Sequence, residues 1–80
     1  MSYSKPLNLI IEGALLASEH PLSLQDIANL FDNDKPSKNE IQKAIDMLNS
    51  NYANHSFEIV NVASGFRMQV KKGYDDWISK

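Results

Sequence analysis

Up to Tyr52 the apolar positions recur every three or four residues, and from Phe57 onward they recur every second one, so the chain reads as helices followed by strands. A first helix is expected from about Lys5 or Pro6 to Ser18. Pro6 suits its first turn, where the missing N–H removes no needed hydrogen bond. At about 100° per residue, Leu7, Ile10, Ile11, Ala14, Leu15 and Ser18 share one face, the expected core side. His20-Pro21 closes the segment, because the residue before a proline is disfavoured in the helical region. A second, shorter helix opens at Ser23, with Asp26 three residues on completing an approximate capping box. Ile27, Ala28 and Phe31 give it an inner face, helped by Leu24 and Leu30. Asp32-Asn33-Asp34-Lys35-Pro36 has loop composition.

The third helix has the clearest start, since Ser37 and Glu40 form S-x-x-E and each can satisfy a free N–H at the other's position. Ile41, Ala44, Ile45, Leu48 and Tyr52 line one apolar face, while Asn39, Gln42, Lys43, Asp46, Asn49 and Ser50 occupy the other. Phe57–Val62 is rich in β-branched and aromatic residues, and Phe66-Arg67-Met68-Gln69-Val70 alternates apolar with polar. Ala63-Ser64-Gly65 reads as the loop that joins them into a hairpin. The tail Gly73-Tyr74-Asp75-Asp76-Trp77-Ile78 can begin another helix, with Trp77 and Ile78 packing back or onward. Three helices and a two-stranded β-hairpin make an α+β, mainly α domain in the order of a winged helix-turn-helix. Its core is expected within about residues 5–72 of a single 1–80 domain.

Eighty residues with 42% hydrophobic content supply one core and little beyond it. With no cysteine there is neither a disulfide framework nor a thiolate metal site. No apolar run approaches the roughly 20 residues of a membrane span, and the first six residues lack the organisation of a signal peptide, so a soluble intracellular protein is expected.

Catalytic chemistry finds no foothold in the sequence. His20 lies beside a proline in a turn and His55 in a polar loop, with no carboxylate at ligand spacing. Asp75-Asp76 and Asp32…Asp34 lie in a tail and a loop, where no apolar pocket would raise a carboxyl pKa. No serine has a histidine-bearing motif, and three glycines make no phosphate-binding loop. The expectation is a non-enzyme with no cofactor and no metal.

Helix-turn-helix units most often read DNA, so charge decides how this one is taken. The net charge is −2, from 8 cations against 10 anions. Asn39, Gln42 and Asn49 on the third helix have the right chemistry for adenine. Lys43 there is balanced by Asp46, and Lys38 by Glu40. Arg67, Lys71 and Lys72 are the sole basic cluster, at the hairpin's base, and the wing tip carries no cation. These residues are the DNA contacts of the alternative reading, a transcriptional regulator, and they support only weak, salt-screened binding.

The first helix has a second apolar stripe. Leu9 and Leu16, seven residues apart, lie together on the far side from the core face, beside Lys5, Glu12 and Gly13, and the glycine permits close approach between them. Leu9, Glu12, Gly13 and Leu16 are therefore the candidate interface. The competing explanation is internal cover, with Tyr3, Trp77 and Ile78 folding over the two leucines.

Several segments resemble one bacterial family, segregation and condensation protein B. They are Ile10-Ile11-Glu12-Gly13-Ala14-Leu15-Leu16-Ala17-Ser18, Pro21-Leu22-Ser23-Leu24, Ile27-Ala28, and Ile45-Asp46-Met47-Leu48-Asn49 with Tyr52 following. Most specific is Phe57-Glu58-Ile59-Val60-Asn61-Val62-Ala63-Ser64-Gly65-Phe66-Arg67-Met68-Gln69, which is similar to the family's hairpin, and Tyr74 and Trp77 match a Y-x-x-W ending. The resemblance runs from about Ile10 to Ile78. It implies a two-domain, winged-helix, homodimeric protein that binds a kleisin subunit, segregation and condensation protein A, and through it an SMC ATPase. It also implies a cytoplasmic, nucleoid-associated role in chromosome condensation and segregation, with weak or indirect contact to nucleic acid and none to membrane. The first domain of such proteins is associated mainly with self-association. On this view the chain corresponds to the N-terminal half, stopping where a second domain would begin. Glu19-His20 departs from a glycine–acid pair common in the family.

Overall fold

The computed structural model describes residues 5–78. Its elements are α1 (Leu7–Ala17), α2 (Leu24–Ala28), α3 (Lys38–Asn51), β1 (Phe57–Val62), β2 (Gly65–Val70) and a final turn of helix, α4 (Asp75–Ile78). This is the expected mainly helical α+β winged helix. α1 is shorter than the periodicity predicts, because Pro6 stands outside it in extended conformation (ψ 138°) and Ser18 leaves it likewise.

Both predicted capping boxes form. The Ser23 hydroxyl accepts the Asp26 N–H while the Asp26 carboxylate accepts the Ser23 N–H, and Ser37 and Glu40 repeat the arrangement at the start of α3. Between the two helices, the α2 caps and the 32–36 loop turn the chain so that α3 can cross the molecule. Ile11 and Leu15 from α1, Ile27 and Ala28 from α2, and Ile41, Ala44, Ile45, Leu48 and Tyr52 from α3 meet in one core. Ile59 and Phe66 close it from the hairpin. Leu30, expected to help the α2 face, is 49% exposed instead. The helical period fails it, since α2 ends at Ala28.

β1 and β2 pair antiparallel from Phe57↔Val70 to Val62↔Gly65. The turn is therefore Ala63-Ser64 alone, and Gly65 belongs to the strand rather than the loop. Gly65 has φ +141°, and a Cβ there would lie 2.4 Å from the carbonyl carbon and oxygen of Leu22. Only glycine fits that approach. It is needed because Leu22 forms a one-residue third lane of the sheet. The Leu22 N–H donates to the Phe66 carbonyl at 2.9 Å, and the Phe66 N–H donates to the Leu22 carbonyl at 2.7 Å.

Two polar side chains fix the hairpin to α3. The Asn49 amide donates to the Ile59 carbonyl at 3.0 Å and accepts the Ile59 N–H at 2.8 Å, acting as a surrogate strand residue against β1. Lys71 Nζ donates to the Tyr52 carbonyl at 2.7 Å and the Ala53 carbonyl at 3.3 Å, placing a cation where the α3 dipole ends.

Candidate functional site

The second stripe of α1 is exposed. Leu9 is 52% and Leu16 65% accessible, and Gly13 faces open space with no atom near the position of a Cβ. Glu12, grouped with them by helical angle, has another task. It is half-buried, and its carboxylate accepts the hydroxyl proton of Tyr52, joining α1 to the end of α3. Burial, then the hydrogen bond to Glu12 and its charge, hold the Tyr52 phenol well above the usual tyrosine range. Of the four predicted interface residues the structure thus brings Leu9, Gly13 and Leu16 into one exposed line and turns Glu12 partly inward. Sequence spacing gives no warning of this, because Glu12 and Tyr52 are 40 positions apart.

The tail does not fold back on these leucines. Tyr74 is 47%, Trp77 70% and Ile78 63% exposed. Tyr3, the other proposed cover, lies outside the described residues. Leu16 instead borders a cleft of about 340 Å³ with Leu15, Ser18, Phe57, Met68, Gln69 and Val70, a site that sequence reasoning missed. Alternation marked Met68 and Val70 as apolar positions of the second strand but could not show that α1 stops short of covering them.

The residues offered for DNA contact are dispersed in purpose. Asn39, Lys43 and Lys72 are exposed. Gln42 donates to Asp46 at 3.1 Å, and an Arg67 guanidinium N–H donates to Gln69 Oε1 at 3.2 Å. Asn49 is held by β1 and Lys71 by the end of α3, so neither amide nor ammonium is turned outward toward a ligand. The groove between the starts of α2 and α3 and the wing tip, about 380 Å³, has Lys38 as the cation in its lining. His55 packs its ring against Tyr52 and Phe57, at centroid distances of 5.7 and 5.1 Å. Among the described residues no three histidine or acidic side chains cluster as metal ligands, and no helix is long and apolar enough to cross a membrane.

What these features define is a winged-helix domain whose reading helix and wing carry no concentrated positive charge, and whose exposed large apolar side chains include Leu9 and Leu16 on α1 and Val70 on β2, with Leu30, Met47 and the terminal turn besides. Residues 9–80 match the family described as segregation and condensation complex subunit ScpB, and the chain belongs to that family. A segregation and condensation protein B homolog from Coxiella burnetii is 33% identical over 73 residues, which are 90% of this chain and 35% of that protein. A conserved hypothetical protein from Chlorobium tepidum superposes with a TM-score of 0.78 at 28% identity, over 90% of this chain and 45% of its own. ScpB from Mycobacterium tuberculosis shares the fold at a TM-score of 0.77, with 13% identity over 91% of this chain and 45% of that one. A further structure, a dimer of ScpB N-terminal domain complexed with ScpA peptide, shares the fold at 0.78, with 24% identity, over 99% of this chain and 91% of that one. The chain thus spans about a third of the curated relative and less than half of the first two solved structures.

Proposed function

We propose that this domain is a non-catalytic protein-interaction module of a chromosome segregation and condensation complex, and that it associates with a second copy of itself through the outward side of α1. The observation that carries the reading is the line of Leu9, Gly13 and Leu16, left exposed although an apolar tail lies later in the same chain. Withdrawing a leucine side chain from water contributes about 1.5–3 kcal/mol when burial is complete, so a symmetric contact using both leucines twice is large beside the stability of a domain this small. The dimeric state of the related N-terminal domain, and its bound ScpA peptide, support a homodimer that engages a kleisin and, through it, an SMC ATPase. On this reading the chain is the N-terminal half of a two-domain, nucleoid-associated protein.

Sedimentation at micromolar concentration is expected to show a dimer, and Leu16→Glu to leave a folded monomer. A wild-type chain that stays monomeric at every accessible concentration defeats the proposal.

A further inference from the structure

The exposed line on α1 has a carboxylate at its centre. Leu9 and Leu16 are separated by a rise of about 10 Å along the helix, and their midpoint falls between Glu12 and Gly13. A contact between two copies is isologous, so its two-fold axis passes near the middle of the shared patch. Antiparallel pairing of α1 sets Leu9 of one copy against Leu16 of the other and opposes the two helix dipoles. It also brings Gly13 of both copies to the crossing, where open space in place of a Cβ lets the backbones approach. The same rotation puts both Glu12 residues on one flank of the crossing, either side of the axis. Two carboxylates meeting there would repel each other while water is withdrawn from both.

Tyr52 supplies the remedy. By helical angle Glu12 lies about 40° from Leu16 and about 60° from Leu9, so a single donor beside α1 can draw it off the stripe. The Tyr52 hydroxyl is that donor, and Glu12 is half-buried against it. The donor itself is fixed. Tyr52 is 4% exposed, its N–H donates to the Leu48 carbonyl at 3.0 Å, and its carbonyl accepts Lys71 Nζ at 2.7 Å. Its ring packs on Phe57 with centroids 4.8 Å apart. Burial, then Glu12, keep the phenol protonated well past neutral pH, so it donates throughout the physiological range.

We propose that Tyr52 is a positioning residue for self-association: its hydroxyl holds the Glu12 carboxylate off the α1 stripe, so that two α1 helices can cross antiparallel at Gly13 without setting two charges face to face. The proposal rests on the reading that a second copy binds α1, and adds how that contact accommodates a central charge.

The test is the dimer dissociation constant of the full chain and its variants, from sedimentation equilibrium at low and high salt. Tyr52→Phe keeps the ring but frees Glu12, and is expected to weaken the dimer by about tenfold at low salt and by much less at high salt, which screens like charges. Adding Glu12→Gln to Tyr52→Phe is expected to return the constant to within about twofold of wild type. That second change cannot rebuild the lost hydrogen bond between α1 and α3, so a merely structural role for Tyr52 gives no rescue. Unchanged dimerisation in folded Tyr52→Phe, or weakening that neither salt nor Glu12→Gln relieves, overturns the proposal. If Tyr52→Phe fails to fold, two variants with Tyr52 intact decide the question. Glu12→Asp, charged but one methylene short of the phenol, is expected to weaken the dimer in a salt-dependent way, whereas Glu12→Gln, neutral and still an acceptor, keeps it. Equal constants for those two, or the reverse order, overturn the proposal. A dimer lost in Leu16→Glu but indifferent to Tyr52→Phe defeats this inference alone, while a monomeric wild-type chain defeats the reading of α1 as the interface as well.

Discussion

Gly65 shows how one residue can carry a whole element. Its φ of +141° and the Leu22 backbone 2.4 Å from a would-be Cβ mean that any side chain must separate the wing from the segment before α2. Gly65→Ala is expected to lower the unfolding free energy by about 3 kcal/mol, measured by urea denaturation, and to break the Leu22–Phe66 hydrogen bonds. Loss below about 0.5 kcal/mol would mean that the contact yields more easily than the backbone geometry implies. Asp26 carries an electrostatic consequence. The Ser23 backbone N–H, then the Ser23 hydroxyl, hold its carboxyl below the usual aspartate range. A depressed folded-state pKa contributes stability that is present above the unfolded value and disappears as pH falls through the folded one. The difference in thermal midpoint between the wild-type chain and Asp26→Asn, which keeps an acceptor oxygen, is therefore expected to shrink as pH is lowered below about 4. A difference independent of pH would exclude the carboxylate charge as its source.

At the scale of elements, α3 and the hairpin behave as one piece because Asn49 and Lys71 join them. Lys71→Met keeps the length of the side chain but leaves the Tyr52 and Ala53 carbonyls without their donor, and is expected to cost about 1 kcal/mol by chemical denaturation. A neutral result would show that water replaces the ammonium without loss. The elements themselves were largely legible in the amino-acid sequence, because the signals for them are local. S-x-x-D and S-x-x-E sit within one helical turn, and the switch of period from 3.6 to 2 needs only neighbouring residues. What escaped reading depends on distant pairs. Asn49 resembles a polar surface residue of a reading helix until β1 is placed against it. Lys71 counts as a basic surface group until the end of α3 arrives, and Glu12 belongs to an exposed stripe until Tyr52 reaches it. The Leu22 lane is a single residue between Pro21 and a capping serine, too short for any periodicity. In the candidate site the two leucines were legible from helical angle alone, whereas the cleft beside β2 is set by how far α1 extends over the sheet.

On the scale of the whole molecule, one small core has to support a domain with several apolar groups on its surface. A partner that binds only the folded state adds to its stability in proportion to the logarithm of concentration. The thermal midpoint of the wild-type chain is accordingly expected to rise with protein concentration, and that of Leu16→Glu to stay constant. An equal rise in the two would place self-association elsewhere than on α1. Charge adds a separate expectation. With Lys71 and Asn49 committed to internal contacts and Lys38 the cation lining the wing groove, substituting Lys43 by Glu is not expected to alter the behaviour of the chain in a DNA mobility assay at physiological salt.

The sequence holds a single tryptophan, Trp77, in the terminal turn and 70% exposed. Its fluorescence is consequently less suited to following collapse of the core than to reporting what settles on the end of the chain. A blue shift on adding any binding partner would signal that the indole has lost exposure to water, and would do so without a label.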